Sequence, residues 1–194
     1  MNYIYVFHPF SEQYILPENK KTIDVIYVGN APFEYLNKIQ WDNKKNVLIG
    51  KVNPKATRGF VSYVEKLNLI SMSKISICTN EYVLNGDALN FLKNFSNIND
   101  ILEIRNNKLT QHKSRVIEAA FCRSIILCKS DEFNIIEDIF DVKKEFIYFD
   151  DSNLKEIINE ILSNYDKYKI IADNAYNRAI NNYTTKHFYN KYIL

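Results

Sequence analysis

The stretch His112-Lys113-Ser114-Arg115-Val116-Ile117-Glu118 gathers residue types that handle a phosphorylated ligand. Glu118 falls three residues after Arg115 and four after Ser114, so on a helix all three lie near one face. That helix would begin with Lys113 and Arg115, two cations at the end where the macrodipole disfavours them. A bound polyanion accounts for such a cluster, and a carboxylate at a strand's carboxyl edge can accept both hydroxyls of a ribose. The plainer reading is an Arg115–Glu118 surface ion pair, which contributes little.

Two glycines stand in comparable places. Gly29-Asn30 follows the apolar run Ile23–Val28, and Gly50-Lys51 follows Val47–Ile49. A glycine there lets the backbone approach a ligand, and a helix N-terminus after it offers free N–H groups to a phosphate. Each is equally a tight turn. Lys51, Lys55 and Arg58 can neutralise a diphosphate, whose charge grows when it leaves in a transfer reaction; as isolated surface cations they are equally just solvated. His8, His112 and His187 have no metal-ligand spacing, Asp150-Asp151 reads as a helix cap after a strand, and no nucleophile–histidine arrangement follows from spacing. Gly29-Asn30-Ala31-Pro32 lacks the glycine-rich fingerprint of a dinucleotide enzyme.

Apolar runs at Tyr3–Phe7, Ile23–Val28, Val47–Ile49, Ile75–Cys78, Ile125–Cys128 and Phe146–Phe149 predict strands, continuous enough to be buried on both faces. Helical spacing predicts helices over Pro32–Ile39, Phe60–Met72, Arg115–Cys122, Glu132–Phe140, Leu154–Leu162 and Tyr168–Asn182, with a shorter one from Thr184. Strand and helix alternate, so the fold class is α/β, a Rossmann-like parallel sheet with helices on both faces and ligands beyond the carboxyl ends of the strands. Asn80–Gln111 breaks the rhythm: it is polar and Asn-rich, with short helices expected at Ala88–Phe95 and Ile98–Arg105. The expected organisation is one domain over 1–194 with an insertion at about 80–112.

The chain has 194 residues and a formal net charge of +2, which argues against a dedicated nucleic-acid or acidic-membrane binder. Cys78, Cys122 and Cys128, an odd set without CxxC spacing, read as reduced packing residues. With no leader-like N-terminus and no apolar stretch of spanning length, a cytoplasmic protein without a transmembrane segment is expected.

The runs Lys113–Phe121, Ser124–Cys128, Glu145–Phe149, Leu154, Asn174–Arg178 and Asn182–Thr185 together resemble the C-terminal domain of GT-B fold glycosyltransferases. The nearest likeness is to the glycosyltransferase family 1-like group that includes spore-maturation-type proteins. Ile23–Asn30 and Ser71–Asn80 carry a weaker likeness to the family's first strand and to the strand before its donor site. The resemblance implies a nucleotide-diphosphate sugar as substrate, with Glu118 on the ribose and Arg115, with Lys113, at the diphosphate. It sets Gly29, Asn30, Asn80 and His112 along the donor cleft and gives leaving-group stabilisation to Arg115 and Lys51. No metal or other cofactor is implied. The chain corresponds to one half of such an enzyme, so an acceptor-binding domain or partner chain is expected. The alternative is a non-catalytic Rossmann-like module binding a protein partner through the insertion. Two departures stand out: Thr110 occupies the place, eight residues before Glu118, where many retaining relatives have a second glutamate, and Phe121-Cys122-Arg123 replaces a glycine-containing turn.

Overall fold

The computed structural model describes residues 7–30, 33–84 and 108–194. Its main sheet has five parallel strands in the order β2-β1-β3-β6-β7, formed by β1 (Ile23–Val28), β2 (Asn46–Ile49), β3 (Ser73–Cys78), β6 (Ile125–Lys129) and β7 (Ile147–Phe149). Register is set residue by residue: Val25 lies opposite Asn46 on one side and Ile75 on the other, and Ile75 lies opposite Ile125. The order reverses at β1, so a crevice opens beyond the carboxyl ends of β1 and β3.

Successive side chains along a strand leave on opposite faces. Ile26, Val47, Cys78 and Ile126 therefore pack on one face, against Leu67 and Ile70 of α1 (Tyr63–Ser71), Val116–Phe121 of α2 (Ser114–Phe121) and Ala175 and Ala179 of α4 (Tyr165–Asn182). Val25, Tyr27, Leu48, Ile75 and Leu127 pack on the other, against Leu154, Ile158 and Ile161 of α3 (Leu154–Ser163). Helices thus cover both faces, as the alternation predicts. A last helix, α5 (Thr185–Tyr192), follows Thr184, whose neighbour Tyr183 joins Phe7 and Phe140 in edge-on aromatic contacts.

Several expectations change. The segment expected as a strand at Tyr3–Phe7 has only Phe7 among the described residues, and Phe10 makes a single bridge with Thr184. The helix expected over Pro32–Ile39 is a five-residue 3-10 turn, Glu34–Lys38. The one expected over Glu132–Phe140 shrinks to the 3-10 turn Ile135–Asp138. There the Asp131 carboxylate accepts the N–H groups of Phe133 and Ile135, and Asn134 takes a left-handed φ of 52°, which an α-helix cannot continue through. The helix cap expected of Asp150-Asp151 is a turn instead: Asp150 Oδ1 accepts the backbone N–H groups of Ser152 and Asn153 ahead of α3, no side chain caps the helix itself, and Asp151 pairs with Lys129 at 2.9 Å. The turn from α2 to β6 forms without glycine: Arg123 adopts φ 49° and stacks 3.5 Å over Tyr176, while Ser124 N–H bonds Ala119 O and Arg123 N–H bonds Ala120 O. That is the paired closure of a left-handed helix end, and the ring contact offsets the cost of a side chain at positive φ. Between β3 and α2 stands an antiparallel pair, β4 (Glu81–Val83) and β5 (Lys108–Thr110), with Thr110 opposite Glu81. The helices expected at Ala88–Phe95 and Ile98–Arg105 lie outside the described residues. Among the described residues no helix is long and apolar enough to cross a membrane.

Phe121 is 1% exposed and stacks on Phe10 at 4.2 Å, tying the entering segment to α2. Phe121→Ala is expected to lower the unfolding free energy by about 3–5 kcal/mol, read as a lower urea midpoint with an unchanged slope.

Candidate functional site

The amino ends of α1 and α2 converge beyond the carboxyl ends of β1 and β2. One hollow there, about 160 Å³, is lined by Gly29 and Asn30, Gly50 and Lys51, Phe60 and Arg115, among others. A second, about 380 Å³, is lined by His8, Pro9, Tyr63, Ser114, Ile117 and Glu118, with Phe10. Lys66 of α1 lines both, so the two hollows are neighbours.

Glu118 anchors the deeper hollow. Its residue is 2% exposed, and Oε1 accepts a 2.8 Å ion pair from Lys66 Nζ. Oε2 is buried without a hydrogen-bond partner. A buried carboxylate oxygen left unpaired carries its full desolvation cost, so it is poised for a donor. Tyr63 flanks the pair: the Lys66 ammonium lies 4.4 Å from its ring centre, and burial, then the Glu118 carboxylate, pushes its phenol pKa up. The partner of Glu118 is therefore Lys66 and not Arg115. Tyr63, Lys66, Leu67 and Ile70 fall at i, i+3, i+4 and i+7, so a lysine on the apolar face of α1 was the signal available in the sequence.

Ser62 caps α1 by accepting the Glu65 N–H. No side chain caps α2, and its first turn holds no acidic residue. The Arg115 guanidinium has no hydrogen-bond or ion-pair partner among the described residues, and Arg115 lines the first hollow. Free backbone N–H groups, a dipole end and an unmatched guanidinium together favour an anion. The floor suits close approach: a Cβ on Gly50 would come within 2.5 Å of Gly29 O, and Asn30 Oδ1 accepts the Val52 N–H at 3.3 Å.

Gly29, Asn30, Lys51 and Arg115 thus line the first hollow and Glu118 the second, on either side of Lys66. Lys113, His112 and Asn80 point elsewhere. The Lys113 ammonium donates to Glu81 O, fastening the start of α2 to β4. Burial, then Arg115, lowers its pKa to about 8. His112 Nε2 is 3.4 Å from Asp138 Oδ2, and burial lowers its pKa against the pull of that carboxylate. Asn80 is 1% exposed, with its amide against the Cys128 sulfur at 3.8 Å. A larger hollow of about 580 Å³ lies between Lys144-Glu145 and α4, but its Arg178 is already matched by Glu145 and Asp141 at 2.9 and 3.2 Å. Among the described residues no group of three or more His, Cys, Asp or Glu is placed to hold a metal ion.

A family model described as glycosyl transferase-like matches residues 13–193. No curated protein matches significantly. Among solved structures the chain is similar to TarM, with 12% identity, TM-score 0.56 and coverage of 97% of this chain and 37% of that one. It is also similar to HepE of Anabaena in complex with UDP-glucose, with 10% identity, TM-score 0.55 and coverage of 87% and 47%. A third likeness is to the GtfA/B complex, with 7% identity, TM-score 0.52 and coverage of 89% and 35%. The chain therefore spans less than half the length of each of these structural relatives. At such identities the likeness is one of fold.

Gly50→Ala is expected to displace the Gly29 carbonyl and cost about 1–3 kcal/mol by overpacking, measured by urea unfolding. Lys113 supplies a pH test. Its folded pKa lies below the unfolded value near 10.5, so the folded state holds fewer protons between pH 8 and 10.5. Its contribution to stability therefore rises with pH across that window. The difference in unfolding free energy between wild type and Lys113→Met is expected to move in favour of wild type from pH 8 to 10; a difference that stays flat would contradict the buried ammonium.

Proposed function

The chain belongs to the glycosyl transferase-like family, and on that premise we propose that it is the donor-binding domain of a glycosyltransferase. It takes a sugar from a nucleotide-diphosphate sugar and passes it to a glycan or related acceptor. The observation that carries this reading is the unpartnered, buried Oε2 of Glu118, held beside an uncapped helix end and an unmatched arginine. Oε2 accepts the ribose hydroxyls while Lys66 fixes Oε1. The diphosphate lies over the first turn of α2 against Arg115, with Lys51 at the rim and the backbone of Gly29 and Gly50 beneath. Asn30 borders the same floor. Asn80, His112 and Lys113 act from behind, holding the start of α2 to β4, β6 and the Ile135–Asp138 turn.

In the transfer, the bond between the anomeric carbon and the diphosphate oxygen breaks as the acceptor hydroxyl oxygen bonds that carbon. The hydroxyl proton passes to a base, and negative charge grows on the diphosphate. Arg115, Lys51 and the α2 dipole stabilise that charge without a metal ion. The whole of 1–194 is read as one such domain, with 80–112 inserted before the site helix, and the acceptor site is assigned to a further domain or chain. The complexes of HepE with UDP-glucose and of GtfA with GtfB support both parts of the reading. Three free, buried cysteines fit a reducing, cytoplasmic setting.

Calorimetric titration with UDP, GDP and ADP tests the proposal. One of them is expected to bind, and Arg115→Ala and Glu118→Ala are each expected to weaken that binding roughly 10- to 100-fold, the worth of a charged hydrogen bond. No binding at millimolar concentration, or unchanged binding by Glu118→Ala, would sink it.

A further inference from the structure

α1 and α2 run side by side in the same direction. Their amino ends line the cleft, and their carboxyl ends turn into the adjacent parallel strands β3 and β6. Parallel neighbouring helices set like dipole ends together, here two negative ends opposite the cleft. At that far end a single side chain bridges both. Lys21 Nζ donates to Ser71 O, the last residue of α1, at 2.7 Å and to Cys122 O, which ends α2, at 3.1 Å. Asn19 adds a 2.7 Å bond to Ser71 Oγ. Burial lowers the Lys21 pKa to about 8, so at neutral pH a charge is kept there against its desolvation cost.

We infer that Lys21 is a positioning residue for the cleft: by bridging the carboxyl ends of α1 and α2 it fixes how the helices lie against each other, and so the Lys66–Glu118 geometry that receives the nucleotide. Among the described residues three polar links join the two helices along their length: the Lys21 bridge, the Cys122 thiol donating to Leu67 O at 3.4 Å, and the Lys66–Glu118 pair at 2.8 Å. Releasing one end lets the helices slide or splay, because no connecting loop runs directly between them. Substitutions at Lys21 lie away from any atom assigned to the ligand, so their effect on binding must travel through the helix pair.

The inference rests on the donor-binding reading for its ligand, and the test separates the two. UDP is the probe for Lys21→Met and Lys21→Arg, and the unfolding cycle adds Glu118→Gln and the Lys21→Met/Glu118→Gln double variant. Lys21→Met is expected to weaken UDP binding about tenfold, and Lys21→Arg, which keeps a cation over both carbonyls, to recover most of it. UDP affinity unchanged in folded Lys21→Met overturns the inference, even if the midpoint of unfolding falls. Urea unfolding gives a second readout that needs no ligand. In the double variant the midpoint shift is expected to be smaller than the sum of the single shifts, since sites at opposite ends add unless they are coupled. Additive shifts overturn the inference whether or not UDP binds. Coupled shifts in a protein that binds no nucleotide would retain the Lys21 bridge and discard the donor-binding reading.

Discussion

The ion pair between Lys66 and Glu118 governs this end of the molecule. Both charges are largely withdrawn from water, at 18% and 3% side-chain exposure, and they are compensated by a 2.8 Å contact with each other beside the Tyr63 ring. Desolvation of two ions is often not repaid by their mutual attraction, so such a pair is weak evidence of a device for stability alone. Half of the carboxylate is left without a partner, which would be a flaw in a structural bridge. It becomes intelligible if the missing donors arrive with a ligand. The same pair also sets the lateral spacing of α1 and α2, so the shape of the cleft and its electrostatics are one constraint.

The sheet order makes that arrangement available. With β1 flanked by β2 and β3, the strand ends diverge where the chain changes direction, and the helices leading into β3 and β6 present their amino ends to the same opening. Two dipole ends, Arg115 and Lys66 then lie around a floor that two glycines keep low. The geometry demands a small residue at Gly50, against the Gly29 carbonyl, and at Gly29, against the Tyr27 ring, and places no such demand on the α2–β6 turn, where Arg123 stands at positive φ.

The sheet was legible because its strands fall on continuous apolar runs, and the glycines and the Arg115–Glu118 stretch announced themselves by chemistry just after strands or at a helix start. Less could be read where tertiary contact chooses between equal local options. Lys66 looks like any solvated lysine until its position beside Tyr63, Leu67 and Ile70 is weighed. The direction of Lys113 depends on β4, a three-residue strand paired across a polar segment, and no local pattern encodes it. Between Glu132 and Phe140 the apolar period suited a helix, but Asp131 and the left-handed Asn134 imposed a turn. Each miss comes from a side-chain-to-backbone or long-range bond overriding periodicity.

The three cysteines carry a practical consequence. Cys78 and Cys128 sit opposite each other on β3 and β6, and Cys122 closes α2; burial pushes all three thiols up, Cys78 and Cys122 to about 12. In the closed fold they are shielded and protonated, and so nearly inert to alkylating reagents. Whatever labelling occurs must then follow opening of the surrounding structure, which makes the native thiols clocks for local unfolding at two distinct places, the sheet centre and the end of the site helix.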